Sequence, residues 1–368
     1  MKSIIRFAKR NVVFVIALFA MAITMFFVPI DKEYLGYFDF KTLTCLFCVL
    51  AVVCALKNVN FFYILAKKIV RKFENLRMCV VALVYITFIG SMLIANDMAL
   101  LTFLPLGYFV LDTTDKKEYM AFTFIMQNIA ANLGGMLTPF GNPQNLYLYT
   151  KFGIPTLEFM QIMFLPFIVS IVIITLCCIV FVKPEKLEII EDKDTFEPQK
   201  TALYLVLFVL SIAIVFRGIP YWIGLIIIPL VLIFADRKAL KMVDYPLLGT
   251  FAAFFVFSSN MARIEPVKLL LSGLLEKNAL VFSTLSCQFI SNVPSAILLS
   301  QFTENYKGLL VGVNIGGTGT FIASLASLIT LREYMLRDFN GIKRYSKMFC
   351  AFNFGFLAIL LGVMCVVM

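Results

Sequence analysis

Polar side chains interrupt this apolar chain at four places. Residues 132–145 read Asn132-Leu133-Gly134-Gly135-Met136-Leu137-Thr138-Pro139-Phe140-Gly141-Asn142-Pro143-Gln144-Asn145, and residues 314–320 read Asn314-Ile315-Gly316-Gly317-Thr318-Gly319-Thr320. Glycine and proline in that density cannot continue a helix, so each string predicts a half-helix, an unwound stretch and a restart. Unwound carbonyls suit Na⁺, and half-helix N-termini suit an anion. The other two places are Ala95-Asn96-Asp97 and Ser291-Asn292-Val293-Pro294, each near the middle of an apolar run. An Asn side chain donates and accepts at once. Asn96, Thr138, Asn142 and Asn145 are therefore grouped as one half-site, and Asn292, Asn314, Thr318 and Thr320 as the other. Asp97 is the one acid placed at the membrane centre. Its ionised form is costly there unless a cation neutralises it, which marks a coupling-ion or proton site; the plainer role is a cap that accepts N–H bonds from the helix it begins. Pro143 suits the first turn of a restarting helix, so Asn142 is its cap, with or without a ligand role.

The elements that position these residues follow from composition. Hydrophobic residues make up 61% of the 368 and charged residues 15%. Mean hydropathy is +0.93. A water-soluble fold cannot hide that much apolar surface, so the solvent is largely lipid. The net charge of +10 sits in short clusters between apolar runs, which speaks for membrane topology and against nucleic-acid binding. The nine cysteines fall almost entirely inside apolar runs and read as small buried hydrophobes rather than as a Cys45–Cys48 thiol or metal pair. There is no His, the commonest metal ligand. No Gly-rich loop ends in Lys-Ser or Lys-Thr, and no nucleophile–base set is visible, so neither an ATP-driven pump nor an enzyme is expected. The first apolar run, ending Phe26-Phe27-Val28-Pro29, reads as an uncleaved first span.

Run 78–111 as one helix would be about 50 Å long, too much for a hydrocarbon core of about 30 Å and too little for two spans and a turn. A re-entrant hairpin turning at Asn96-Asp97 at mid-depth satisfies both limits. Run 279–303 has the same design, with arms of about 10–12 residues, roughly half a bilayer. Runs 119–150 and 306–330 are broken spans. With both hairpins, every strongly basic segment falls on one face: Lys2, Arg6, Lys9 and Arg10, then 57–77, Lys116 with Lys117, 236–243, and Arg332 to Lys347, with the charged linker 183–200 on the same face. That face is cytoplasmic, the C-terminus is outside, and Arg263 and Lys268 lie outside beside Glu265. The predicted fold is an all-α polytopic membrane protein with about nine transmembrane helices, two re-entrant hairpins and two broken helices. It divides into an N-terminal span (1–38), a first unit (39–159), linking spans with a cytoplasmic loop at 183–200 (160–243), a second unit (244–331) and a C-terminal span (332–368).

The two units match in order. IANDMALL corresponds to ISNVPSAI, and NLGGMLT to NIGGTGT, pairing Asn132 with Asn314, Gly134-Gly135 with Gly316-Gly317, and Thr138 with Thr320. The first unit begins heading inward and the second outward, which predicts an inverted repeat of the alternating-access kind. Small-residue strings also serve tight helix packing, but packing alone does not require hairpin tips and broken spans to recur as a set.

At ANLGGMLTPFGNPQNLYLY and LLVGVNIGGTGTFIASLASLI the chain resembles the ion transporter superfamily, and most of all its small bacterial citrate-transporter-like permeases, over about 40–367. The group also holds divalent anion:sodium symporters, arsenical pump membrane proteins and sodium/proton antiporters. Dicarboxylate symporters carry Ser-Asn-Thr at each hairpin tip, where it binds substrate carboxylates and flanks sodium sites. Ala95-Asn96-Asp97 and Ser291-Asn292-Val293 occupy these places, with both Asn kept and both Thr replaced. Asn-Asp at the first tip is similar to arsenical pump proteins. The resemblance implies substrate contacts at Asn96, Asn142, Asn145, Asn292, Pro294 and Thr318. It implies coupling-ion contacts at Ala95, Asp97, Asn132, Gly135, Thr138, Ser291, Asn314, Gly317 and Thr320, with Na⁺ or H⁺ as the ion and no other cofactor. It further implies a homodimer of scaffold and transport domains. The expected function is ion-coupled transport of a small anion across the cell membrane, a carboxylate such as citrate first. Proton-linked efflux of arsenite or a similar inorganic species, sodium/proton antiport, and a non-transporting receptor or scaffold stand behind it.

Overall fold

A computed structural model describes residues 11–186 and 197–368. The basic cluster Lys2 to Arg10 and positions 187–196 of the linker lie outside the described residues. Among those described there are seventeen α-helices and no strand beyond one bridge between Asn75 and Lys186.

α1 (Val12–Phe27) precedes α2 (Phe40–Asn58), which starts at Asp39, whose carboxylate accepts the Thr42 N–H. The short amphipathic α3 (Phe61–Val70) leads to α4 (Leu76–Ile94) and α5 (Asn96–Thr113). α6 (Met120–Gly134) unwinds through a 3₁₀ turn at Gly135–Leu137 and restarts as α7 (Pro143–Lys151). α8 (Thr156–Phe181), α9 (Pro198–Val215), α10 (Tyr221–Ala235) and the short α11 (Arg237–Met242) link to the second unit. There α12 (Tyr245–Arg263) starts at Asp244, whose carboxylate accepts the Leu247 N–H. α13 (Glu265–Ile290) bends 96° away from α12 and breaks at Asn278, which has φ −163° and ψ 96°. α14 (Asn292–Leu299), α15 (Tyr306–Ile315), α16 (Leu325–Met335) and α17 (Ile342–Val367) complete the chain.

Five helices, α2, α4, α8, α9 and α17, are each long and apolar enough to cross a membrane. α1 and α10 are apolar but shorter, with 16 and 15 residues. Phe19, Phe164, Val206, Phe234 and Val366 face outward, as a lipid-facing surface requires. α6 is the opposite case. All of its residues are buried, and they include Thr123, Gln127, Asn128 and Asn132. Polar groups are tolerated there because helices surround them on every side.

Both polar-tipped runs fold back on themselves. Ala95 (φ 58°, ψ 146°) and Ser291 (φ 72°, ψ 158°) turn the chain in the same left-handed backbone conformation. In the first hairpin Gly90 packs on the Phe103 ring; in the second, Ser286 Oγ lies 3.0 Å from Ser295 Oγ. The base of the first hairpin closes on one residue, Glu185. Its carbonyl accepts the Leu76 N–H at 2.7 Å, and its carboxylate pairs with Lys116. At the base of the second, Ala279 packs against Gly308. Each run therefore returns to the side it entered from.

The arms differ from expectation in one respect. Those of the second hairpin are half-bilayer pieces, 279–290 and 292–299. Those of the first have 19 and 18 residues, about 28 Å each and longer than half-depth. Each arm is thus close to the thickness of the hydrocarbon core rather than half of it, and α4 by itself is long and apolar enough to cross a membrane.

Arg263, expected outside, is paired with Asp31 and Glu33 in the loop before α2, which the charge pattern places on the same face. The Arg263 hydrogen bond holds the Asp31 carboxyl below the usual carboxylate range. All nine cysteines are unpaired, Cys45 and Cys48 included. Among the described residues no group of three or more His, Cys, Asp or Glu could hold a metal ion.

Candidate functional site

The two hairpin tips are held by the same bonds. The Asn96 N–H donates to the Gly141 carbonyl at 3.1 Å, and the Asn292 N–H to the Ala323 carbonyl at 2.9 Å. Asn96 Oδ1 accepts the Asp97 N–H at 2.9 Å, and Asn292 Oδ1 accepts the Val293 N–H at 2.9 Å. Thr138 Oγ1 donates to the Met92 carbonyl at 2.7 Å, and Thr320 Oγ1 to the Gln288 carbonyl at 3.1 Å. A Cβ on Gly134 would strike the Phe88 carbonyl and Ser91, and one on Gly316 would strike Cys287. These glycines let each broken span lie directly on the first arm of its hairpin.

A buried amide cluster joins the two breaks. Asn314 Oδ1 accepts from Asn142 Nδ2 at 3.2 Å and from Gln144 Nε2 at 3.3 Å. Asn314 Nδ2 donates to Asn145 Oδ1 at 2.6 Å. Asn145 Nδ2 in turn reaches the carbonyls of Gly135, Met136 and Thr138. Asn142 Nδ2 donates to the Asn132 carbonyl at 3.1 Å, and Asn132 Oδ1 accepts from Asn96 Nδ2 at 3.2 Å. Gly317 sits where an added Cβ would lie 3.1 Å from Asn292 Nδ2. Three shielded oxygens have no hydrogen-bond partner: Asn142 Oδ1, Gln144 Oε1 and Asp97 Oδ1. Each is an acceptor left free for a partner other than the protein.

The fold gathers Ala95, Asn96, Asn132, Gly135, Thr138, Asn142, Asn145 and Asn314 around the first break, and Ser291, Asn292, Pro294, Gly317 and Thr320 around the second. Thr318 lies at the second break as well, its carbonyl accepting from Gln288 Nε2 and its hydroxyl donating to the Ile315 carbonyl at 2.7 Å. Asn142 starts α7 in extended backbone but makes no side-chain cap, so capping does not exhaust its role. Asp97 Oδ1 takes no N–H, and the first turn of α5 is served by Asn96 instead.

Four residues outside the expected set belong with them. Gln144 binds Asn314. Gln288 spans the second break, from the Gly316 and Thr318 carbonyls to the Thr320 N–H. Asn128 Nδ2 donates to Ser327 Oγ and its Oδ1 accepts from Thr330 Oγ1. Asp244 lines a cavity of about 70 Å³ together with Ala95, Asp97, Phe140, Pro143 and Leu325. The available signal was an amide or acid inside or at the edge of an apolar run, where polarity persists only with a partner.

A family model described as citrate transporter matches residues 4–306 of the chain. The first break lies inside that match and the second just beyond it. An uncharacterized transporter of Methanocaldococcus jannaschii is 33% identical over 295 residues, 80% of this chain and 81% of its own length. The inner membrane protein YbiR of Escherichia coli K12 is 27% identical over 317 residues, 83% of each chain.

Proposed function

This chain belongs to the citrate transporter family, and from that premise we propose that it is an ion-coupled secondary active transporter of a small anion, with citrate or another carboxylate as the first candidate. The observation that carries the proposal is the recurrence of one bond set, Asn96 with Thr138 and Asn292 with Thr320, at two hairpin tips that flank one amide cluster. Such recurrence supports an inverted repeat of units 39–159 and 244–331, with alternating access around the fixed site between them. The N-terminus is cytoplasmic, the C-terminus outside, the membrane is the cell membrane, and the assembly is a homodimer. Asn96, Asn142, Asn145, Asn292 and Pro294 face the substrate. Asp97, with Asn132, Gly135, Thr138, Ser291, Asn314, Gly317 and Thr320, handles the coupling ion.

A second reading, proton-linked efflux of arsenite or a similar inorganic species, is favoured by Asp97, since an ionised acid at the tip repels a carboxylate. Proteoliposomes separate the two. With purified protein, labelled citrate enters when a Na⁺ or H⁺ gradient is imposed, and Asp97→Asn abolishes the ion dependence at unchanged expression. Ion-dependent flux of arsenite without citrate flux supports the second reading, and absence of any flux favours a receptor. Unaltered ion dependence in Asp97→Asn removes that residue from coupling.

A further inference from the structure

We infer that Arg217, at the corner between α9 and α10, is a latch that holds the first broken span against the neighbouring spans and lets go each time the site changes sides. The inference rests on the alternating access proposed above and adds the contact that controls it.

Hydrogen bonds and close packing divide the spans into two bodies. The amide cluster and the tips bind both hairpins and both broken spans to one another, and Tyr85 Oη, 2.7 Å from Thr175 Oγ1, adds α8. The second body is α1, α2 and α9 to α12. Within it Asn58 Nδ2 donates to Asp236 Oδ2 at 2.8 Å, Asn260 Nδ2 donates to Thr24 Oγ1 at 3.2 Å, and Arg263 pairs with Asp31. α10 lies so close to α9 and α2 that a Cβ on Gly224 would meet Ile214 and Cys48. The seam between the bodies is aromatic. Phe216 meets Phe140 edge-on with ring centroids 5.7 Å apart, and the rings of Phe255 and Tyr147 are 5.6 Å apart. Among the described residues, the hydrogen bonds that cross the seam all start from Arg217.

Arg217 Nη2 donates to the Tyr149 carbonyl at 2.6 Å and Nη1 to the Gly153 carbonyl at 3.2 Å. The guanidinium carbon stands 4.1 Å from the centre of the Tyr149 ring. These groups lie at the C-terminal end of α7, the negative end of its dipole, where a cation is stabilising. The other end of α7 is Pro143, next to Asn142 of the amide cluster, so a grip on the far end holds the cluster in place. The backbone gives a second reason. Arg217 has φ 63°. It is the left-handed residue of the turn that ends α9: its N–H donates to the Ile214 carbonyl at 3.0 Å, and the Gly218 N–H donates to the Ala213 carbonyl at 2.9 Å. Helices favour glycine at this place, because a Cβ is strained there. An arginine keeps it here, and its side chain leaves α9 for α7. The charge pattern puts 183–200 and 236–243 on the cytoplasmic face, so the corner between them lies outside, where water can take over the guanidinium on release. The aromatic contacts can slide and re-form. The two Arg217 bonds fix one position of α7 and must break before it shifts.

Cross-linking of the full-length protein in liposomes, without substrate, tests this. In a cysteine-free background, cysteines replace Phe140 and Phe216, and a short bis-methanethiosulfonate joins them while the seam is closed. Arg217→Gly keeps the turn, since glycine is the favoured residue there, and removes the guanidinium. The initial rate of cross-linking is expected to fall roughly threefold or more, as the closed arrangement loses population. The midpoint of thermal unfolding in detergent is expected to stay within about 2 °C of the parent. Arg217→Asn, which also takes a left-handed backbone and is too short to make both bonds, does the same should the glycine variant fold poorly. An unchanged rate in both variants overturns the latch. So does a loss of thermal stability in both, which marks a brace of the fold instead. Citrate and arsenite flux, measured on proteoliposomes of the wild type, separates the latch from the transport reading. Flux together with an unchanged cross-linking rate refutes the latch and leaves the transporter. The expected fall in cross-linking, without flux of either compound under a Na⁺ or H⁺ gradient, leaves the latch and refutes the transport reading.

Discussion

Asn314→Ala is expected to abolish transport and to destabilise the solubilised protein by about 3 kcal/mol or more. The side chain is the point where the two units meet. It accepts from Asn142 and Gln144 and donates to Asn145. Truncation takes a hydrogen bond from Asn142 Nδ2, Gln144 Nε2 and Asn145 Oδ1, in residues each no more than 1% exposed. A buried group that loses its partner costs about 1–3 kcal/mol, and no solvent reaches the cluster to compensate. Asn314→Asp keeps the acceptor positions toward Asn142 and Gln144 but loses the donations to Asn145 Oδ1 and to the Leu310 carbonyl, so it is destabilised as well. Thermal unfolding in detergent, followed by citrate flux in liposomes, measures both. Wild-type stability in Asn314→Ala would mean that the amide cluster does not join the breaks.

Gly134→Val is expected to prevent the first unit from assembling. α6 lies so close to α4 that even a Cβ at position 134 would meet the Phe88 carbonyl and Ser91. A backbone carbonyl cannot rotate away as a flexible side chain can, so the helices must separate and the bonds at Asn96 and Thr138 are lost with them. Overpacking costs about 1–3 kcal/mol when neighbours can adjust and more when the neighbour is backbone. The expected result is little monodisperse protein after solubilisation. Gly355→Ala and Gly362→Ala provide the contrast. Both glycines lie in α17 with nothing within 4 Å of an added Cβ, and each substitution gains helix propensity of up to about 1 kcal/mol. Size-exclusion profiles of the three variants decide the matter.

Much of this was legible in the chain. Asn96-Asp97 and Asn292 stand out because an amide or acid in the middle of an apolar run is costly without a partner, and the structure puts a turn at each. The match of NLGGMLT with NIGGTGT points to the glycines on which both helix crossings depend and to the threonines that bind Met92 and Gln288. Three features were not legible. Asp244 reads as an ordinary helix cap, and only tertiary packing brings it to the same cavity as Asp97, which lies in the other unit. Thr318 and Thr320 look alike in a polar string, yet Thr318 donates to a local turn and Thr320 across to the Gln288 carbonyl. The span-length arms of the first hairpin are the third: a mid-run polar tip marks the turn but does not fix its depth, and the two arms extend over 19 and 18 residues.

Single-cysteine accessibility measures the arrangement most directly. In a cysteine-free background, cysteines at positions 75 and 116 bracket the first hairpin and cysteines at 278 and 305 bracket the second. With membrane-impermeant maleimide on sealed, oriented vesicles, 75 and 116 are expected to react only from the cytoplasmic face, and 278 and 305 only from the outer face. Reaction of 278 and 305 from opposite faces, or of 75 and 116 from opposite faces, would contradict two hairpins entering from opposite leaflets and meeting at one site.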